Sequence, residues 1–280
     1  MLADAGARLH RISAFGHDLL RTPADERLHL TDPFFWGGYV MAPWCNRIEA
    51  GPTRVGSRLV ALESNFPDGT AIHGQVAARP WQVQGDRSFK LRGGGDGWPW
   101  RYELSERVSV LDSRLRIELA LTNVDDGPMP AGIGIHPWFR RPEMMAIHGE
   151  LVFVDNVKSD AAPQPVAGQL DLRSVGVVPD GVDATWTDLS DPAAEIVWEE
   201  RVRATMRIEA DHAFVVAATP QELDAIAVEP QTHAPHGLGR LLNGGPGALT
   251  MVAPGATLSL VINLDFEQLG SRGHRRTSAR

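Results

Sequence analysis

The segment Leu115-Arg116-Ile117-Glu118-Leu119-Ala120-Leu121-Thr122 decides the fold class. Leu115, Ile117, Leu119 and Leu121 share one face, with Arg116, Glu118, Ala120 and Thr122 between them. That period of two belongs to a strand with one face in a core and one nearer solvent. Just upstream, residues 102–110 form a second strand-like run, and Leu111-Asp112-Ser113-Arg114 supplies a turn, so the two runs read as a β-hairpin. The pattern returns near the end, where Leu258, Leu260, Ile262, Leu264 and Phe266 alternate with a face carrying Ser259, Asn263 and Asp265. Shorter strands are expected at 7–15, 39–44, 59–62, 151–154, 204–208 and 214–218.

Helix signals are few. The best covers 192–200, with Asp191 as an N-cap, and 201–207 reads equally as strand. Surface loops are expected at 85–98 and 163–171. Many short strands punctuated by 28 Gly and 20 Pro indicate a sandwich or barrel, not alternating β and α units. The expectation is an all-β protein, a large antiparallel β-sandwich, with one domain over residues 1–268. Residues 269–280 lack core-forming side chains and read as a disordered basic tail.

Composition narrows the function classes. The net charge of −8 opposes the phosphate-driven binding that nucleic-acid recognition requires, and more weakly opposes a strongly anionic substrate. The one cysteine, Cys45, cannot form an internal disulfide, so nothing points to an oxidising compartment. The opening Met1-Leu2-Ala3-Asp4-Ala5-Gly6 lacks a signal-peptide pattern, and no apolar run approaches the ~20 residues of a membrane span. A cytoplasmic protein with no membrane partner is expected, its oligomeric state open.

Nucleophile elbows, Walker loops and His-Glu-x-x-His pairs are absent from the sequence. Gly132-Ile133-Gly134 lacks the third glycine of a dinucleotide fingerprint. His233-Ala234-Pro235-His236 offers two imidazoles but no further ligands to complete a metal site, and reads as loop. Four polar groups stand at strand ends among unusual neighbours: Arg47 in Pro43-Trp44-Cys45-Asn46-Arg47, His73 in Ile72-His73-Gly74, His136 in Gly134-Ile135-His136-Pro137-Trp138-Phe139, and Glu229 in Val228-Glu229-Pro230. Proline after His136 and Glu229 biases each toward extended backbone. Singly, each has an ordinary structural reading: a hydrogen-bonded histidine, a surface ion pair, a turn cap.

Taken in order, these elements resemble the galactose mutarotase (aldose 1-epimerase) family, from about residue 39 to residue 266. Gly-x-His-Pro-aromatic-Phe and Glu-Pro carry most of the resemblance, and Gly181-Val182-Asp183 is similar to the family's Asp segment. Departures are Trp138 where Tyr is commoner, Gln75 after His-Gly, and Gln231-Thr232-His233 after Glu-Pro; none removes a proton-transfer residue. The resemblance implies a large antiparallel β-sandwich and a sugar substrate, with neither metal nor cofactor. It also implies Glu229 as base at O1, His136 as acid at the ring oxygen, and Arg47, His73 and Asp183 as sugar-binding residues. Two alternatives keep the fold. One is a hexose-6-phosphate 1-epimerase, for which Arg79, Arg140 and Arg141 lie near the motifs. The other is a carbohydrate-binding protein without catalysis. A polysaccharide-cleaving sandwich using two carboxylates is a weaker third.

Overall fold

The alternating run lies within the strand Arg114–Asn123, and its hairpin partner is Trp98–Leu111, in register from Tyr102 opposite Asn123 to Leu111 opposite Arg114. On its other side lies the second alternating run, Thr257–Gln268, with Leu115 opposite Leu264, Ile117 opposite Ile262, Leu119 opposite Leu260 and Leu121 opposite Leu258. The two patterns are therefore one apolar face, and a slip of one residue would turn every one of these side chains to solvent. The structure is a computed structural model that describes residues 1–156, 161–199 and 201–270.

The spatial order along the main sheet is Gly38–Met41, Gly134–Arg140, Ala225–Gln231, Phe214–Ala218, Asp183–Val197, Val202–Glu209, Thr257–Gln268, Arg114–Asn123, Trp98–Leu111, Ser88–Gly95 and Gln82–Gly85, and every pairing is antiparallel. A twisted sheet this wide curls or splits; this one curls. Leu104, Leu119 and Ile262 from one half share an apolar core with Ile135, Phe139, Ile226 and Val228 from the other. The halves thus face one another as a sandwich. Asp183–Val197 joins them, pairing through residues 183–186 with Phe214–Ala218 and through 194–197 with Val202–Glu209. Trp44, Trp98, Trp100 and Trp186 are fully buried and fill the space between layers.

Some local expectations are corrected. Residues 192–197 continue the Asp183–Val197 strand instead of opening a helix at Asp191. Ala193, Ala194, Ile196 and Val197 are buried, and pairing with strands on both sides outweighs the helix propensity of this stretch. The 85–98 loop contains the strand Ser88–Gly95. Two of its glycines are a packing requirement, since a Cβ on Gly93 would stand 2.1 Å from the Tyr102 ring and one on Gly94 2.1 Å from the Trp100 carbonyl oxygen. Residues 7–15 form isolated bridges and only the two-residue strand Ser13–Ala14. Two short helices, Leu28–Thr31 and Gly237–Asn243, occur where no helical pattern is visible. Of the expected tail, Leu269 still donates its N–H to the Arg201 carbonyl at 2.7 Å, while residues 271–280 lie outside the described residues. No helix among the described residues is long and apolar enough to cross a membrane.

Candidate active site

Three adjacent strands at one edge of the sheet, Gly38–Met41, Gly134–Arg140 and Ala225–Gln231, place the central groups. Gly134 pairs with Gln231 and Trp138 with Ala227, which brackets His136 opposite Glu229. On the other side His136 pairs with Tyr39. Pro137 and Pro230 follow the two residues and have no N–H to give a ladder, and the register between the two strands that carry them is interrupted between Gly134 and Trp138, where the side chains meet. The result is a contact of 3.1 Å between His136 Nε2 and Glu229 Oε1, both buried.

His73 reaches the same point from a separate turn. Its φ of +58° and that of Gly74, +76°, turn the chain sharply, and the Asn46 N–H donates to His73 Nδ1 at 3.2 Å while the His73 N–H donates to the Asn46 carbonyl at 3.0 Å. Because Nδ1 accepts, the neutral ring carries its proton on Nε2. The His73 ring stands edge-on to His136 with centroids 5.1 Å apart. Arg47 follows Asn46, donates from Nε to Asp68 at 2.7 Å, and lies over Phe66 at 5.4 Å. Asp183, at the exposed start of its strand, accepts from Asn156 Nδ2 at 2.6 Å.

These five residues line one cleft of about 460 Å³. Its walls include Phe34, Tyr39, Phe66 and Trp138, giving aromatic surface beside convergent polar groups, as in a small-molecule site. Sequence reasoning missed Tyr39, which stacks on His136 at 4.7 Å, and Phe34, whose ring lies 5.9 Å from that of His73. Their only sequence signal is aromatic character beside a strand. The arginines considered for a phosphate are elsewhere. Arg79 lines a neighbouring cleft, Arg140 donates to the Asp18 carbonyl, and Arg141 is bonded to Asp180 and the Pro220 carbonyl. His233 accepts the Cys45 N–H at 2.9 Å and bonds the Ala234 carbonyl, a structural role that fixes the segment leading to Arg47.

Electrostatics at the centre follow from burial. Loss of solvent pushes Glu229 well above the usual carboxylate range, reinforced by the charge of Asp183 and opposed by Arg47. Burial pulls His136 down to about 3, and His73 falls well below its ordinary value through burial and then the neighbouring charges of His136, Arg47 and His233. Burial thus disfavours the charged form of each partner, which favours a carboxylic acid donating to a neutral imidazole over an ion pair across the 3.1 Å contact. Its one shared proton can move between an oxygen and a nitrogen. Glu229 Oε2 and His136 Nδ1 are buried and have no partner among the described residues, and a catalytic role is one explanation for such an exception.

His73, His136 and Glu229 also bring three donor atoms within 4.8 Å of one another, the requirement for a metal as well as for a hydrogen-bonded acid–base group. The second reading is favoured by burial, which disfavours the ionised carboxylate that a metal ligand must supply.

The family model described as Aldose 1-epimerase matches residues 1–265. Solved structures share the fold at low identity. A galactose mutarotase-like protein of Clostridium acetobutylicum superposes with a TM-score of 0.79 at 16% identity, over 95% of this chain and 91% of that one. An Escherichia coli K12 protein gives 0.78 at 21%, over 95% and 94%. A galactose 1-epimerase of Lactobacillus acidophilus NCFM gives 0.75 at 15%, over 95% and 90%. No curated protein sequence is significantly similar to the chain.

Proposed function

The chain belongs to the aldose 1-epimerase family, and on that footing we propose that it interconverts the α and β anomers of an aldose, with Glu229 and His136 moving the protons. The observation that carries this reading is the 3.1 Å contact between these two buried groups at the floor of a cleft that also presents His73 and Arg47.

Ring opening requires a proton to leave the O1 hydroxyl and one to reach the ring oxygen. In the productive form of the pair, reached by one proton transfer across the 3.1 Å contact, Glu229 is the carboxylate and His136 the imidazolium. Glu229 then takes the O1 proton as the C1=O bond forms. The C1–O5 bond breaks, its electrons pass to O5, and His136 protonates that oxygen. This leaves a carboxylic acid beside a neutral imidazole, the form that burial favours. Rotation about C1–C2 presents the other aldehyde face, and closure runs both transfers in reverse. Acid–base catalysis of this kind contributes ~10²–10⁴-fold. His73 donates from Nε2 to a sugar oxygen. Arg47, with its Nε held by Asp68, offers its remaining N–H groups to hydroxyls. Asp183 accepts from hydroxyls at the rim, where epimers differ, while the aromatic walls cover the apolar face of the ring.

A neutral aldose suits the cleft better than a sugar phosphate, because Arg47 is the single guanidinium among the described residues that line it and already bonds Asp68. The test is polarimetry of freshly dissolved α-D-glucose and α-D-galactose, with hexose 6-phosphates in parallel. Saturable acceleration with a free sugar is expected. Acceleration confined to the phosphates would move the substrate assignment, and sugar binding without acceleration of any substrate would overturn the catalytic reading.

A further inference from the structure

Behind the acid–base pair lies a cation that the mechanism above does not use. Arg8 is 0% exposed and has no carboxylate within ion-pairing distance among the described residues. Its guanidinium donates to the carbonyls of Trp36 at 2.9 Å and Ala77 at 3.0 Å. A buried charge without a counter-charge beside it is costly, so its retention calls for a reason.

Arg8 is held by close backbone packing. Leu9 and Gly38 exchange N–H···O bonds of 2.8 Å in both directions, adding the N-terminal segment to the edge strand that carries Tyr39. A Cβ on Gly37 would lie 2.5 Å from the Leu9 carbonyl oxygen and 3.4 Å from Arg8 Cδ, so the approach depends on glycine. Outward, Arg8 Nη1 lies 3.4 Å from His29 Nδ1. Guanidinium has no acceptor, so that nitrogen must accept. The His29 proton is then on Nε2, which faces His10 Nδ1 at 3.0 Å, and the His10 proton is on Nε2, facing Glu26 at 3.7 Å. Inward, the guanidinium carbon stands 5.0 Å from the centre of the Tyr39 ring, and that ring stacks on His136 at 4.7 Å with 20° between planes.

We propose that Arg8 is a positioning residue of the acid–base pair: its buried charge, set against the Tyr39 ring that stacks on His136, disfavours imidazolium and holds the shared proton on Glu229. The inference rests on the epimerase reading of the site for its catalytic meaning. Arg8 is among the influences that lower His136, after burial. Other titratable and charged groups around His136 are Glu229, His73 and Tyr39. Arg47 and Asp183 act on Glu229, Arg47 and His233 on His73, and Asp32 partly offsets burial at Arg8. The contacts of 5.0 and 4.7 Å put the guanidinium within about 10 Å of the imidazole. At an effective dielectric of about 20 this corresponds to a shift of roughly one pH unit.

The experiment is side-chain ¹⁵N NMR of His136 at pH 5 in the full-length wild type, Arg8→Gln and Arg8→Lys, with circular dichroism to establish folding. The wild type should show a neutral ring with Nε2 as acceptor. Arg8→Gln should raise the imidazolium-to-imidazole ratio about tenfold and move the acid limb of the kcat/KM profile up by about one unit. Arg8→Lys should restore both, even where it lowers Tm. An imidazolium at pH 5 in the wild type, or a folded Arg8→Gln with wild-type His136 signals, would overturn the proposal. The NMR needs no sugar, so its outcome stands apart from whether the chain turns over an aldose.

Discussion

Gly74→Ala is the substitution whose cost can be worked most directly from the coordinates. A Cβ at Gly74 would lie 1.9 Å from the Ala42 carbonyl oxygen, 2.3 Å from its carbon and 2.8 Å from its nitrogen. All three are backbone atoms, so no rotamer change relieves the clash. The φ of +76° adds about 1–2 kcal/mol for any L side chain, and overpacking typically adds about 1–3 kcal/mol. Separating the segments also strains the 2.8 Å bond from the Gln75 N–H to the Ala42 carbonyl, worth about 1 kcal/mol. A stability loss of roughly 3–6 kcal/mol follows. His73 is the adjacent residue, and a displacement of about 1 Å in a positioning group can cost ~10²-fold in rate. Urea unfolding and polarimetry on the same preparation read both effects. Gly69→Ala is the control: its φ is +85° with nothing within 4 Å of the added carbon, so only the backbone penalty applies and the rate should hold. Gly74→Ala with a loss below about 1 kcal/mol and a wild-type rate would refute the reasoning.

Other consequences can be checked separately. Glu106 is 1% exposed with neither carboxyl oxygen bonded among the described residues, and burial raises it well above the ordinary value. It therefore favours folding below the unfolded-state value near 4.5 and loses that contribution as pH rises toward the folded-state value. Glu106→Met should gain roughly 1–3 kcal/mol at pH 8 and little at pH 4; equal Tm differences at both pH values would contradict this. Cys45 is 0% exposed, and burial, then the charge of Glu229, holds its thiol well above its usual range. A disulfide reagent such as Ellman's should find no reactive thiol in the native protein at pH 8 and one after unfolding. Dialysis against a chelator should leave epimerase activity unchanged; loss restored by a divalent ion would instead make His73, His136 and Glu229 metal ligands.

The alternating runs 115–122 and 258–266 are legible because each buries one face, and that same face dictates their pairing once they meet. Nothing local says that they meet, since the pairing of Leu115 with Leu264 closes over most of the chain. The stretch 192–197 misleads for the converse reason: Pro-Ala-Ala-Glu favours a helix locally, whereas its neighbours on both sides are strands. The glycines at 93–95 read as loop because a sequence does not show the Tyr102 ring packed where a side chain would be. At the site, the placement of His136 opposite Glu229 follows from register, and register depends on tertiary pairing. Each residue stands out by its following proline, but the 3.1 Å contact does not. Tyr39 shows only as an aromatic beside a strand and Arg8 carries no signal, because stacking and cation burial are properties of the assembled sheet.

Removal of the O1 proton by Glu229 is tested by polarimetric equilibration of an α-aldose with wild type and Glu229→Gln in parallel. The variant keeps the size of the side chain and removes its capacity as a base. The account predicts that the catalysed rate falls by ~10²–10⁴-fold while the sugar still binds. A variant within tenfold of the wild-type rate would contradict it.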